Sequence, residues 1–247
     1  MWAGVFVFMA HLAACFTNTI VEGGMRNRLL YLAGRVVVLL YARLMLRLDV
    51  AWNAPMPRGP KIIVANHPST TDPIYLGILS PAPLNMLLIV YPFLIPIVGT
   101  YLRWSGHVPV VPGKGRPAFD EALRLLKRGR SVVVFPEGDV SPQGGGFRSP
   151  RTGAARLALL TGAPVVPVGI YLPRERNTPM EMDIGGTRCV SYVYMRGHYA
   201  FTVGEPIHYQ GPADDREHVR ATTDQIMERI IALAGHSESR VKATAAS

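Results

Sequence analysis

Apolar and polar positions along this chain change period several times, and each change marks an element. Residues 1 to 21 are almost continuously apolar, opening Trp2-Ala-Gly-Val-Phe-Val-Phe-Met. About 20 such residues in a helix would cross a bilayer core, but His11, Thr17 and Asn18 interrupt the run. The basic start and small-residue cleavage site of a signal peptide are missing. Met25 offers a second possible start. Residues 26 to 48 read as a helix whose Arg28, Arg35, Arg43 and Arg47 fall within about 120° at 100° per residue, the rest being mostly apolar. Such a helix either packs on the domain's own core or lies in a membrane interface with its arginines among headgroups. The wide apolar arc favours the interface. Asn53-Ala-Pro-Met-Pro-Arg-Gly-Pro60 is a turn-rich link.

Beyond the link, strand and helix patterns alternate. Short β-type runs are predicted over 61–65, 84–90, 108–111, 131–135, 165–171 and 192–203. Helices are predicted over 73–79, 117–128, 153–161 and 216–233, with an irregular apolar helix over 93–105 that contains Pro96 and Gly99. The alternation predicts a single α/β domain with a mostly parallel or mixed sheet flanked by helices. Three segments follow: a membrane-associated helical segment over 1–52, the α/β domain over 53–234, and a flexible polar tail over 235–247.

Composition narrows the class. At 247 residues the chain is long enough for a real core. Hydrophobic content of 49% beside a charged fraction of 17% favours membrane contact. A net charge of +9 suits anionic lipid or a polyphosphate ligand. No nucleic-acid signature accompanies it, so nucleic acid is not an expected partner. The two cysteines, Cys15 and Cys189, make no metal motif, and no disulfide framework is expected. His107, His198, His208 and His218 lack metal-ligand spacing, so no metal is expected either.

Two strings carry chemistry. Asn66-His-Pro-Ser-Thr-Thr-Asp72-Pro follows the strand at 61–65, and Phe135-Pro-Glu-Gly138 follows the strand at 131–135. In α/β folds, sites gather in loops at the carboxyl ends of strands. His67 is a base suited to near-neutral pH, and Asp72, five positions on, can orient it. Asp72 could instead cap the next helix, since the spacing fits a loop entering a helix. The Phe-Pro-Glu-Gly string is rare, on the order of one in a thousand random chains of this length. It could also be a plain strand-to-turn exit. No Gly-x-Ser-x-Gly string is present, which argues against an acyl-serine intermediate.

These strings resemble the motifs of the glycerophospholipid acyltransferases of the lysophosphatidic acid acyltransferase type. Asn66, His67 and Asp72 match the first motif, Phe135 to Gly138 the third, and Ala163-Pro-Val-Val-Pro-Val168 the apolar fourth. Arg151-Thr-Gly153 fits the basic residue and glycine that open a helix between the last two. The resemblance covers about residues 26 to 208. It implies His67 as general base, with Asp72 fixing its tautomer. It also implies that Glu137 and Gly138 contact the acceptor. Lys114, Arg116 and Arg151 are candidate phosphate or coenzyme A contacts, the alternative for each being an ordinary solvated charge. The apolar surface near 91–104 is a wall for the acyl chain, beside the 163–171 run.

The reaction implied moves a fatty acyl group from acyl-CoA or acyl-carrier protein, as co-substrate, to a lysophospholipid hydroxyl, most plausibly that of 1-acylglycerol 3-phosphate. No cofactor is needed. The partners are a phospholipid surface, at the cytoplasmic face of the cell membrane, and in one case acyl-carrier protein. Two departures bear on the acceptor. Pro112 stands where the second motif has an arginine, and Asp139-Val140-Ser141 replaces a continuation containing another. A lyso-aminolipid acceptor is therefore a rival, as are a silent lipid-binding protein and a lipid hydrolase using the same histidine.

Overall fold

The computed structural model describes residues 25–184 and 187–246. Residues 1 to 24, and with them the apolar stretch read above, lie outside that range. Five contiguous parallel strands make up most of a seven-stranded sheet, with β4 at its edge: β2 (Ile62–Ala65), β3 (Leu84–Ile89), β4 (Val108–Val110), β5 (Ser131–Val134) and β6 (Val165–Tyr171). Beyond β6 lie β9 (Tyr199–Val203), antiparallel to it, and β1 (Leu48–Trp52), parallel to β9, in the order β1-β9-β6-β2-β5-β3-β4. The expected mixed sheet is what forms.

Alternation along the central strands explains why both faces are covered. Ile62, Val64, Val132 and Val134 point to one side, against α4 (Arg116–Lys127), α5 (Gly153–Thr161) and α6 (Arg216–Ala246). Ile63, Ala65, Val133 and Val166 point to the other, where α1 (Met25–Met45) and α2 (Asp72–Leu76) lie. Runs without polar interruption are what doubly covered parallel strands require. At Gly169 the chain of α6 lies directly on β6: a Cβ there would collide with the backbone of Leu233 and Ala234.

Several boundaries differ from the sequence expectation. Leu48–Trp52 is a sheet strand, so a division between 52 and 53 cuts through the domain; a half-buried edge strand carries too little pattern to stand out from the helix before it. The stretch at 192–203 is two strands, because the chain turns at 194–198 before entering β9. The first of them, β8 (Thr187–Val193), pairs with β7 (Thr178–Ile184) as a separate two-stranded sheet. The 93–105 helix divides into a 3-10 turn at Tyr91–Leu94 and α3 (Val98–Trp104) around Pro96. The polar tail is helix: α6 runs to Ala246, with Ser237 and Val241 buried. Arg240 donates to Asp49, Thr202 and the Phe201 carbonyl, which fastens those last turns to β1 and β9.

The first helix answers both readings weighed for it. Ala42 and Leu46 are buried in the core, and Arg35 donates to the Ile78 carbonyl instead of pointing outward. Val36, Val37, Leu40 and Leu44 are exposed, Leu44 by 79%, and form an apolar stripe facing away from the domain. Among the described residues no helix is long and apolar enough to cross a membrane.

Candidate active site

Strands β2 and β5 are neighbours and parallel, so their carboxyl ends put the His67 loop and the Phe135 turn side by side. The backbone then joins them: Ser141 N–H donates to the His67 carbonyl at 2.7 Å. Asn66 anchors the base of the loop. Its side chain donates to the Ile170 carbonyl (2.8 Å) and accepts from Ile170 N–H (2.7 Å), imitating a strand partner.

His67 Nδ1 lies 2.8 Å from Asp72 Oδ2. The Asp72 carboxylate is fully buried, so its partners settle its geometry: Ser69 N–H donates to Oδ2 (2.8 Å) and the Tyr199 hydroxyl to Oδ1 (2.6 Å). Asp72 sits in the first turn of α2, but the helix has no side-chain cap, so its carboxylate serves the histidine loop. With Asp72 as acceptor, Nδ1 carries the ring proton and Nε2 keeps its lone pair. Nε2 has no hydrogen-bond partner among the described residues. The imidazole lies over Phe135, centroids 4.1 Å apart, so the third motif's aromatic ring floors the base.

Glu137 occupies a different place from the one expected of an acceptor contact. It is buried, and its carboxylate accepts from His67 N–H (3.1 Å), the Ser141 hydroxyl (2.6 Å) and Arg148 N–H (2.8 Å). Both oxygens are turned into the protein, where they tie the two motif loops together. Gly138 has a φ of +70°, and a Cβ there would strike the Arg151 side chain. Arg151 thus folds across the turn, fixed by its own N–H to the Pro136 carbonyl at 2.8 Å, and its exposed guanidinium stands beside the motif.

Lys114 and Arg116 are not gathered into this group. They follow β4, three strands from β2, about 14 Å across the sheet at the usual strand spacing. Both lie at the same end of the sheet as His67, but Arg116 is paired with Asp120 on the surface.

Sequence reasoning missed Tyr199, which reaches Asp72 only because β9 runs opposite to β6. It also missed the supports of the His67 loop. Asn177 donates to the Pro68 carbonyl, Ser69 Oγ donates to the Tyr192 carbonyl, and Arg174 donates to the carbonyls of Pro142 and Gly146. Burial lowers the Arg174 pKa, while Glu137 and Asp72 oppose that change. Among the described residues, no three of His, Cys, Asp and Glu group to hold a metal ion.

A family model described as Acyltransferase matches residues 47–171, about half the chain and all of both motif loops. The chain belongs to the acyltransferase family. Its acyltransferase relatives include a lyso-ornithine lipid O-acyltransferase of Pseudomonas aeruginosa, 30% identical over 78% of this chain and 76% of that one. A chloroplastic 1-acyl-sn-glycerol-3-phosphate acyltransferase of Arabidopsis thaliana is 32% identical over 63% of this chain. The chain spans 42% of that relative's length and 34% of its Brassica napus counterpart's. The crystal structure of the 1-acyl-sn-glycerophosphate acyltransferase PlsC from Thermotoga maritima shares the fold, with a TM-score of 0.62 over 96% of this chain and 88% of that one, at 20% identity.

Proposed function

We propose that this acyltransferase-family chain transfers a fatty acyl group from a thioester, acyl-CoA or acyl-carrier protein, to the free hydroxyl of a lysophospholipid, with His67 as general base. The observation that carries the reading is the His67–Asp72 pair, an imidazole with its Nδ1 engaged, Nε2 available and a buried carboxylate behind it. The acceptor hydroxyl attacks the thioester carbonyl as Nε2 takes its proton. The C–O bond forms, the C–S bond breaks, and the imidazolium returns the proton to the departing thiolate. Asp72 stabilises the imidazolium between those steps. Glu137 holds the His67 backbone in place. Arg151, exposed beside Gly138, is the cation placed best for an acceptor phosphate, with Lys114 and Arg116 as more distant contacts for a large anionic donor.

The apolar stripe of α1 supports docking on a phospholipid surface, which we place at the cytoplasmic face of the cell membrane. Leu94, Ile97 and Trp104, also exposed, suit the wall along which the acyl chain is taken up. Val165 to Ile170 are buried in the sheet and serve as core.

The first acceptor to test is 1-acylglycerol 3-phosphate. A lyso-aminolipid is the second, favoured by Pro112 in place of an arginine and by the lyso-ornithine lipid relative that this chain matches over most of both lengths. The deciding experiment measures thiol release from palmitoyl-CoA by the detergent-purified protein, with lysophosphatidic acid, with a lyso-ornithine lipid, and with neither. Acceptor-dependent release that falls by about 100-fold or more in His67→Ala is the expected result. Free fatty acid without acceptor would replace the reading with hydrolysis. Lipid binding with no turnover on either donor class would replace it with a silent lipid-binding role.

A further inference from the structure

Tyr199 is the first residue of β9, which runs against β6, so it lies level with the carboxyl end of β6, the end of the sheet that carries the His67 loop. It is fully buried, with its ring edge-on to Tyr75 (5.1 Å) and Phe201 (5.0 Å). Burial, and then the negative charge of Asp72, hold its phenol well above the ordinary value, so the hydroxyl keeps its proton and donates it. Its acceptor is Asp72 Oδ1, the oxygen that His67 does not use.

We propose that Tyr199 is a positioning residue for acyl transfer: its hydroxyl clamps Asp72 in the rotamer that meets His67 and draws off part of the carboxylate's charge. The inference rests on His67 being the base. A carboxylate held at Oδ1 by a buried tyrosine and at Oδ2 by Ser69 N–H cannot turn about its terminal bond, so the imidazole is presented in one orientation. Among the described residues, no other ionisable side chain beside the pair does this. The Tyr75 hydroxyl is bonded to the Tyr194 carbonyl, and that of Tyr194 to the His198 carbonyl. Glu137 faces the His67 backbone, and Arg174 is bonded to Pro142 and Gly146.

The perturbation is Tyr199→Phe, which removes one oxygen and keeps the ring; Tyr75→Phe, in the same aromatic cluster, is the comparison. Loss of one charge-assisted hydrogen bond corresponds to a fall of about 10- to 100-fold in kcat, with KM for palmitoyl-CoA unchanged. An Asp72 no longer sharing its charge draws more strongly on the Nδ1 proton. The downfield proton NMR signal of His67 Nδ1–H then moves. Tyr75→Phe leaves it where it was.

An unmoved His67 Nδ1–H signal in Tyr199→Phe overturns the proposal whatever happens to turnover, as does an equal shift in Tyr75→Phe. That signal needs no turnover. A shift confined to Tyr199→Phe, in a protein that releases no thiol, upholds the clamp and refutes the acyl-transfer reading instead.

Discussion

Replacing Glu137 by Gln separates two jobs that its motif could do. The amide keeps the shape of the side chain but exchanges one acceptor oxygen for an NH2 donor. Three donors converge on the carboxylate: His67 N–H and the Ser141 hydroxyl at Oε1, and Arg148 N–H at Oε2. Whichever way the amide turns, at least one backbone N–H then faces another donor inside the protein. A lost charge-assisted bond plus an unsatisfied N–H costs about 3 kcal/mol. For a chain of this size, that lowers Tm by roughly 6 to 12 °C. Because His67 hangs from the same carboxylate, kcat falls by about tenfold through misplacement of the base. KM for the lysophospholipid stays within about twofold of wild type, since the carboxylate does not meet the acceptor. Thermal unfolding by circular dichroism in detergent, with steady-state kinetics at varied acceptor, reads all three quantities. A variant as stable as wild type, with kcat intact and KM raised tenfold, would refute the reasoning and return Glu137 to the acceptor site.

Three further outcomes are expected. Burial pushes the His107 imidazole down to about 4, and its Nδ1 accepts from Met86 N–H, so the fold favours the neutral ring. Its contribution to stability is complete above the unfolded value near 6.5 and is lost as pH falls toward 4; part of the residue reaches solvent, which limits the loss to about 2 kcal/mol. Urea unfolding at pH 7 and pH 5 should show that slope, and His107→Asn should flatten it. Deleting residues 235–247 removes three Arg240 hydrogen bonds and the buried Ser237 and Val241, which at about 1 kcal/mol per hydrogen bond lowers Tm by roughly 6 to 12 °C; an unchanged Tm would mean a solvated tail. Leu40→Asp together with Leu44→Asp, both on the exposed stripe of α1, should weaken sedimentation with phosphatidylglycerol vesicles by tenfold or more while leaving the circular dichroism spectrum unchanged; equal sedimentation would place the membrane contact elsewhere.

What could be read from the sequence was local. The strands at 62–65, 131–134 and 165–171 are unbroken apolar runs because helices cover both faces, and they stood out for that reason. His67, Asp72, Glu137 and Gly138 were legible because two short strings carry them. What escaped depends on distant segments. Tyr199 looks like any strand tyrosine until β9 is known to run antiparallel to β6. The inward role of Glu137 depends on three donors from two loops. Met180-Glu-Met-Asp-Ile184 alternates as a strand should, but β7 pairs only into a separate, largely exposed two-stranded sheet, so no buried face marks it. The C-terminal helix looked like a tail because its buried contacts, Ser237 and Arg240, are polar residues bonded to β6, β9 and β1.

Placing β9 between β1 and β6 also sets an order in time. Among the described residues, the only sheet neighbour of β1 is β9, some 150 residues later in the chain. During synthesis α1 can pack early on α2 and the turn at Ile78, but β1 waits for its sheet partner until β9 has emerged. The same late strand delivers the hydroxyl that grips Asp72. A nascent chain can fold its central parallel strands with the histidine already in its loop. Asp72 gains its last partner only when β9 pairs with β6.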